Sequence, residues 1–230
     1  DTVRLANCIH LQGTILQGQG NVKAALEYYF RALAIIEAIE DHPLIYLIQQ
    51  SIIDLYLERE EYKKAIELLY SIRKSYEASV QGYTSLYNMF GKAYQGINNF
   101  DSAFYYYNKS IDECLALNRP GHAAIAYRFL GDLLNAEGRY TEAVEYLRKG
   151  LTVCDRKNMK QEYALTSNLL GISLLHLQKP DRAEKHFSEA LHIGQELNDI
   201  AVLKDAADGL RKVNVLKRDF ESAYYYFEQY

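Results

Sequence analysis

GDLLNAEGRYTEAVEYL, residues 131–147, holds two helical patterns with a break between them. Reading upstream, Ala126, Phe129, Leu130, Leu133 and Leu134 fall at i, i+3, i+4, i+7 and i+8, one apolar stripe of an α-helix. Downstream, Ala143, Val144, Leu147 and Leu151 make a second stripe. Glu137-Gly138-Arg139 between them is turn chemistry. Gly131 and Ala143 lie twelve residues apart, one on each helix. Small residues there let the two backbones approach to the short end of the ~8–10 Å range of helix packing. The stretch therefore predicts a helix–turn–helix hairpin.

The same pattern recurs along the chain. Alanines 25, 65, 103, 143, 183 and 223 are separated by 40, 38, 40, 40 and 40 residues. Four have a glycine twelve residues before them (Gly13, Gly91, Gly131, Gly171), while the other two hairpins place Ile53 and Arg211 there. An aromatic follows four residues after the alanine at Tyr29, Tyr107, Phe187 and Phe227, suited to filling the gap toward the next hairpin. Turn signals fall between the paired small positions at Gln19-Gly20-Asn21, Glu60-Glu61, Asn98-Asn99, Glu137-Gly138-Arg139, Gln178-Lys179-Pro180 and Arg218-Asp219. Pro180 suits a helix's first turn, where its missing N–H is no loss. Between hairpins, Asn118, Asn158 and Asn198 are expected as left-handed helix stops, and Asp41-His42-Pro43 as the break after the first. Twelve helices are expected, near 2–18, 21–39, 43–58, 61–78, 80–96, 99–117, 120–137, 139–156, 160–177, 180–197, 199–217 and 219–230. No hairpin of this size can bury its apolar face alone, and stacking neighbours does so. The fold class expected is all-α, a superhelical solenoid of about six hairpins. It forms a single domain, 1–230, with repeats near 1–40, 41–79, 80–118, 119–158, 159–198 and 199–230.

Composition narrows the function. Lys+Arg 26 against Asp+Glu 30 leaves a net charge of -4, which disfavours nucleic-acid binding, since that depends on cations neutralising phosphates. No run approaches the ~20 apolar residues needed to cross a bilayer, so this segment is not expected to insert. The chain opens at Asp1 and halts within a helical pattern at Tyr230, which suggests a segment of something longer. The three cysteines, Cys8, Cys114 and Cys154, have no close partner in sequence, and buried free thiols are expected. The 21 tyrosines cluster as Tyr28-Tyr29-Phe30, Tyr105-Tyr106-Tyr107 and Tyr224-Tyr225-Tyr226-Phe227, best read as one packed ring in each run with half-exposed neighbours. The six histidines show no metal-ligand spacing. No phosphate loop, nucleophile elbow or Cys-x-x-Cys occurs. No metal, cofactor or catalytic residue is expected, and the chain is read as a non-enzyme.

Small residue, twelve-residue offset, alanine, then an aromatic four later, with Ala32 or Ala190 three beyond that: this resembles the tetratricopeptide repeat, over essentially the whole chain. The unit is about six residues longer than the family's usual ~34. In this it is similar to subfamilies with extended second helices, including signalling scaffolds, bacterial peptide-sensing regulators and sensor regions of two-component histidine kinases. Two repeats lack the glycine, and tryptophan is absent.

The resemblance implies a concave groove lined by first helices, with groove residues six and three before, and one after, the small position. That assigns Asn7, His10 and Thr14; Leu47, Gln50 and Asp54; and Ser85, Asn88 and Lys92. It continues with Ile125, Arg128 and Asp132; Leu165, Asn168 and Ile172; and Asp205, Asp208 and Lys212. The middle position is polar every time: His10, Gln50, Asn88, Arg128, Asn168 and Asp208. Amides both donate and accept, so this ladder could hold an extended peptide backbone, with Asp54, Lys92, Arg128 and Asp132 adding selectivity. The first helices of any solenoid also need a solvated stripe, and both readings stay open. The function expected is a protein- or peptide-binding scaffold, as the sensor or interaction region of a larger bacterial signalling protein. The alternatives are a stand-alone adaptor and, less favoured, an enzyme using the groove as a cleft. A periplasmic setting goes with the sensor reading and a cytoplasmic one with the others.

Overall fold

A computed structural model describes residues 2–39, 43–77, 83–154, 156 and 158–229 of the 230. Twelve α-helices occur among them: α1 (Thr2–Gly18), α2 (Val22–Ile36), α3 (Pro43–Glu58), α4 (Tyr62–Glu77), α5 (Tyr83–Gly96), α6 (Phe100–Ala116), α7 (Pro120–Ala136), α8 (Tyr140–Val153), α9 (Lys160–His176), α10 (Pro180–Leu197), α11 (Ile200–Lys217) and α12 (Phe220–Gln229). Pro180 opens α10, as do Pro43 and Pro120 their helices. The start expected near residue 80, and Asp41-His42, lie outside the described residues.

The turns inside the hairpins share one device. Gly20, Glu60, Asn98, Gly138, Gln178 and Arg218 all adopt positive φ, between 57° and 76°. Each lets the next backbone N–H reach back to a carbonyl of the preceding helix, as Arg139 N does to Leu134 O at 2.8 Å and Lys179 N to Leu174 O at 2.9 Å. Asn21, Asn99 and Asp219 then cap the following helix, each accepting a backbone N–H three residues on. Between hairpins, Asn118 and Asn198 are left-handed as expected. α8 ends at Val153, with Cys154 in an extended conformation, ahead of the stop expected at Asn158.

Two compact units divide the chain, Asp1–Ala103 and Phe104–Tyr230. In the first, α1 packs on α2 and α3 on α4, and α1, α3 and α5 lie side by side. Its core joins Ala6, Ile9, Ala25, Tyr29, Ala32 and Ile36 to Leu44, Ile48, Ile52 and Leu55. In the second, α7 packs on α8, α9 on α10 and α11 on α12, with α7, α9 and α11 side by side. The alanines of the repeat, 25, 65, 103, 143, 183 and 223, are all buried. So are Tyr29, Tyr107 and Phe187, whereas Phe227 is 69% exposed. Among the described residues, α12 packs on α11 alone. Cys114 and Cys154 are buried thiols, but Cys8 is exposed, contrary to expectation.

Candidate ligand-binding face

The side-by-side first helices place their polar rows against one another. His10 is buried rather than open: Ser51 Oγ lies 2.9 Å from its Nε2. That hydroxyl donates to Leu47 O at 3.0 Å, so the imidazole must donate through Nε2, leaving Nδ1 bare. Nδ1 is buried without a partner among the described residues, and burial lowers the pKa of the ring. Gln50 donates to Ser85 Oγ at 2.8 Å, one helix further on. Arg128 pairs with Glu162 at 2.6 Å, from α7 to α9, with its guanidinium over Phe129. Asn168 is buried and donates to Val202 O at 3.2 Å, from α9 to α11. Four of the six ladder positions thus bridge to the next first helix. Asp208 differs, holding Arg211 and Lys212 of its own helix, each at 2.6 Å. Burial pushes its carboxyl up, but those two hydrogen bonds outweigh it and the pKa falls below the usual value. Asn88 is half-buried, and its Oδ1 has no partner among the described residues.

Positions one after the small residue are more open. Thr14 and Lys92 are exposed; Asp54 and Asp132 are half-buried; Ile172 and Lys212 are exposed. Thr14 donates only locally in the bonds seen, to His10 O at 3.2 Å. Asp54 is the perturbed group: burial pushes it up to about 6, Lys92 pulls the other way and Glu58 adds to the rise. In the second unit, Asp132 adds to the burial that raises the Tyr107 pKa.

Several contributors were absent from the sequence reading. Gln17 donates to both oxygens of Glu58, at 2.9 and 3.0 Å, and accepts from Tyr29 Oη at 2.7 Å. Asn135 donates to Leu169 O at 3.2 Å and accepts from Ser173 at 2.6 Å. Their signal was complementary polar residues about one repeat apart. Between the C-terminal halves of α9 and α11 lies a cleft of about 410 Å³ lined by Leu175, His176, Gln178, Arg211, Lys212, Val215 and Leu216. His176 also lies flat on Tyr140, ring centroids 4.2 Å apart.

Among the described residues, no three His, Cys, Asp or Glu side chains gather where a metal could sit, and no helix is long and apolar enough to cross a membrane. What the first-helix face offers is hydrogen bonding, paired charge and apolar contact.

Known proteins place this architecture. The sequence pattern of the tetratricopeptide repeat matches residues 83–156 and 122–196. Tetratricopeptide repeat protein 29 is 22% identical in Macaca fascicularis and 24% in Homo sapiens, over 160 residues that make up 66% of this chain. The chain spans about a third (32%) of the length of those relatives. A signal-transduction ATPase with numerous domains from Pyrococcus horikoshii, bearing a tetratricopeptide repeat sensor, superposes with a TM-score of 0.79 at 16% identity, covering 99% of this chain and 36% of that one. A Rap protein complexed with competence and sporulation factor superposes with a TM-score of 0.73 at 14% identity, covering 96% and 72%. The fold is the all-α solenoid of helix hairpins these structures share, and the chain belongs to the tetratricopeptide repeat family.

Proposed function

We propose that the chain is a protein- or peptide-binding scaffold, serving as the non-catalytic sensor or interaction region of a larger signalling protein, with its ligand lying against the first-helix face. The observation that carries this is a division of labour between two rows of side chains. The row three before the small position is largely taken up in bridges between first helices. The row one after it is the more open: Thr14, Lys92, Ile172 and Lys212 are exposed, and Asp54 and Asp132 are half-buried. Ligand contact is therefore assigned mainly to that second row, while His10, Gln50, Arg128 and Asn168 set the spacing of the helices behind it. The Rap structure, solved with a separate factor bound, and the ATPase, with a repeat array named as its sensor, are of the same fold and support the reading.

Selection of peptides from a random display library on the immobilised chain tests it. Selected peptides should bind the intact chain, and reversing charge at Asp54 and Lys92, or placing Glu at Ile172, should weaken binding about tenfold or more. Helicity should stay unchanged. A library that yields nothing beyond what an unrelated helical protein retains, or peptides indifferent to every one of these changes, would overturn the scaffold reading.

A further inference from the structure

Successive first helices are bridged near their C-terminal ends at two joints and left open at a third. Between α1 and α3 the bridge is Gln17 on Glu58; between α7 and α9 it is Asn135 on Leu169 O and Ser173. Between α9 and α11, the registers equivalent to Gln17 and Glu58 carry Leu175 and Leu216. Neither side chain can make a polar bridge, and the helices leave the 410 Å³ cleft at that place. Its volume falls in the ~300–1,000 Å³ range of small-ligand sites, enough for a bulky side chain and its neighbours.

The chemistry of the cleft is equally specific. Leu216 is 50% exposed and Val215 nearly as much. Apolar surface of this kind gains by being covered. The charged groups of the lining, Arg211 and Lys212, are both cations, and among the described residues no carboxylate lines the cleft. Asp208 pairs with the two of them, one anion against two cations, on a chain whose net charge is -4. A complementary ligand presents an apolar group with negative charge next to it.

We propose that the α9–α11 cleft is an anchor pocket for an acidic peptide, taking one bulky aliphatic or aromatic side chain between Leu175 and Leu216 while a flanking Asp or Glu meets Arg211 and Lys212. This rests on the scaffold reading and makes it specific.

Three synthetic peptides titrated into the intact chain by fluorescence anisotropy test the assignment: a short acidic peptide with a central Leu, the same peptide with Ser for Leu, and the same peptide with Lys for every Glu. The first should bind, and each of the others should bind about tenfold more weakly or worse. Leu216→Glu should abolish binding, and Lys212→Glu should shift preference toward the Lys peptide. Both residues are exposed, so circular dichroism should show the fold intact. Equal binding of the Ser peptide, or an unaltered affinity in Leu216→Glu, would overturn the pocket. If the acidic Leu peptide fails to bind while library-selected peptides bind in a way sensitive to Asp54 and Lys92, the pocket falls and the scaffold stands. If neither kind binds, both fall.

Discussion

Asp54 sits half-buried on α3, pushed up to about 6 by burial, with Lys92 opposing the rise and Glu58 adding to it. In an unfolded chain an aspartate titrates near ~3.9. Between those two values the native state binds more protons than the unfolded state, so the stability from this group is highest at low pH and declines as pH rises from about 4 to about 6. Asn cannot ionise and escapes that decline. Asp54→Asn should therefore match the parent near pH 4 and exceed it at pH 7 by on the order of 2 kcal/mol, read from urea midpoints across that range. A variant less stable at pH 7 would mean that Lys92 more than offsets the burial. At this scale the sequence revealed residue types better than roles. Six polar residues in one register were plain, but spacing gives a helix face and not the angle at which the next helix arrives. His10, Gln50, Arg128 and Asn168 meet that helix, and the complementary groups one repeat on, Ser51, Ser85 and Glu162, were the legible clue.

Helix pairs depend on where the small residues let a ring enter. Phe187 of α10 is fully buried between two glycines: a methyl built on Gly171 would lie 2.7 Å from its ring, and one on Gly209 of α11 would lie 2.4 Å away. Gly171 belongs to the twelve-residue register, but Gly209 stands two residues before the register position, which Arg211 occupies. The two glycines serve different joints: Gly171 admits the ring within its own hairpin, and Gly209 admits it from the preceding hairpin. Arg211 meanwhile lines the open cleft. Gly209→Ala gains up to ~1 kcal/mol in helix propensity but overpacks a ring with no room to move, at ~1–3 kcal/mol. The net change should be a loss of about 1 kcal/mol in urea unfolding, and Phe187→Leu should relieve it, giving a coupling of at least ~0.5 kcal/mol in the double-mutant cycle. A stabilised Gly209→Ala would show that the joint has slack. The turns were legible for a related reason: each needs one left-handed residue, and Gly or Asn supplies it at 20, 98 and 138, although Glu60, Gln178 and Arg218 adopt the same conformation without that signature.

In the whole chain, the repeat period predicted helix positions closely. Periodicity says that every hairpin needs neighbours. The 38-residue interval from Ala65 to Ala103 is the shortest between repeat alanines, and it ends where the first unit ends. In a stack of this kind stability is nearly a sum of each repeat and its nearest-neighbour joints, so damage in one place should stay local. Ala143 offers the test, being fully buried on α8 in the hairpin where Gly131 faces Leu147. Ala143→Leu should overpack that pair by ~1–3 kcal/mol, which lowers hydrogen-exchange protection of the amides that open with it by about ten- to hundredfold. The loss should fall on α7, α8 and the adjoining α9. The amides of α1, α2 and α3 lie in the other unit and should keep their protection. Equal loss in both units would mean that the chain opens as one cooperative block, and an unchanged α7–α9 would mean that the alanine does not pack where the repeat register puts it.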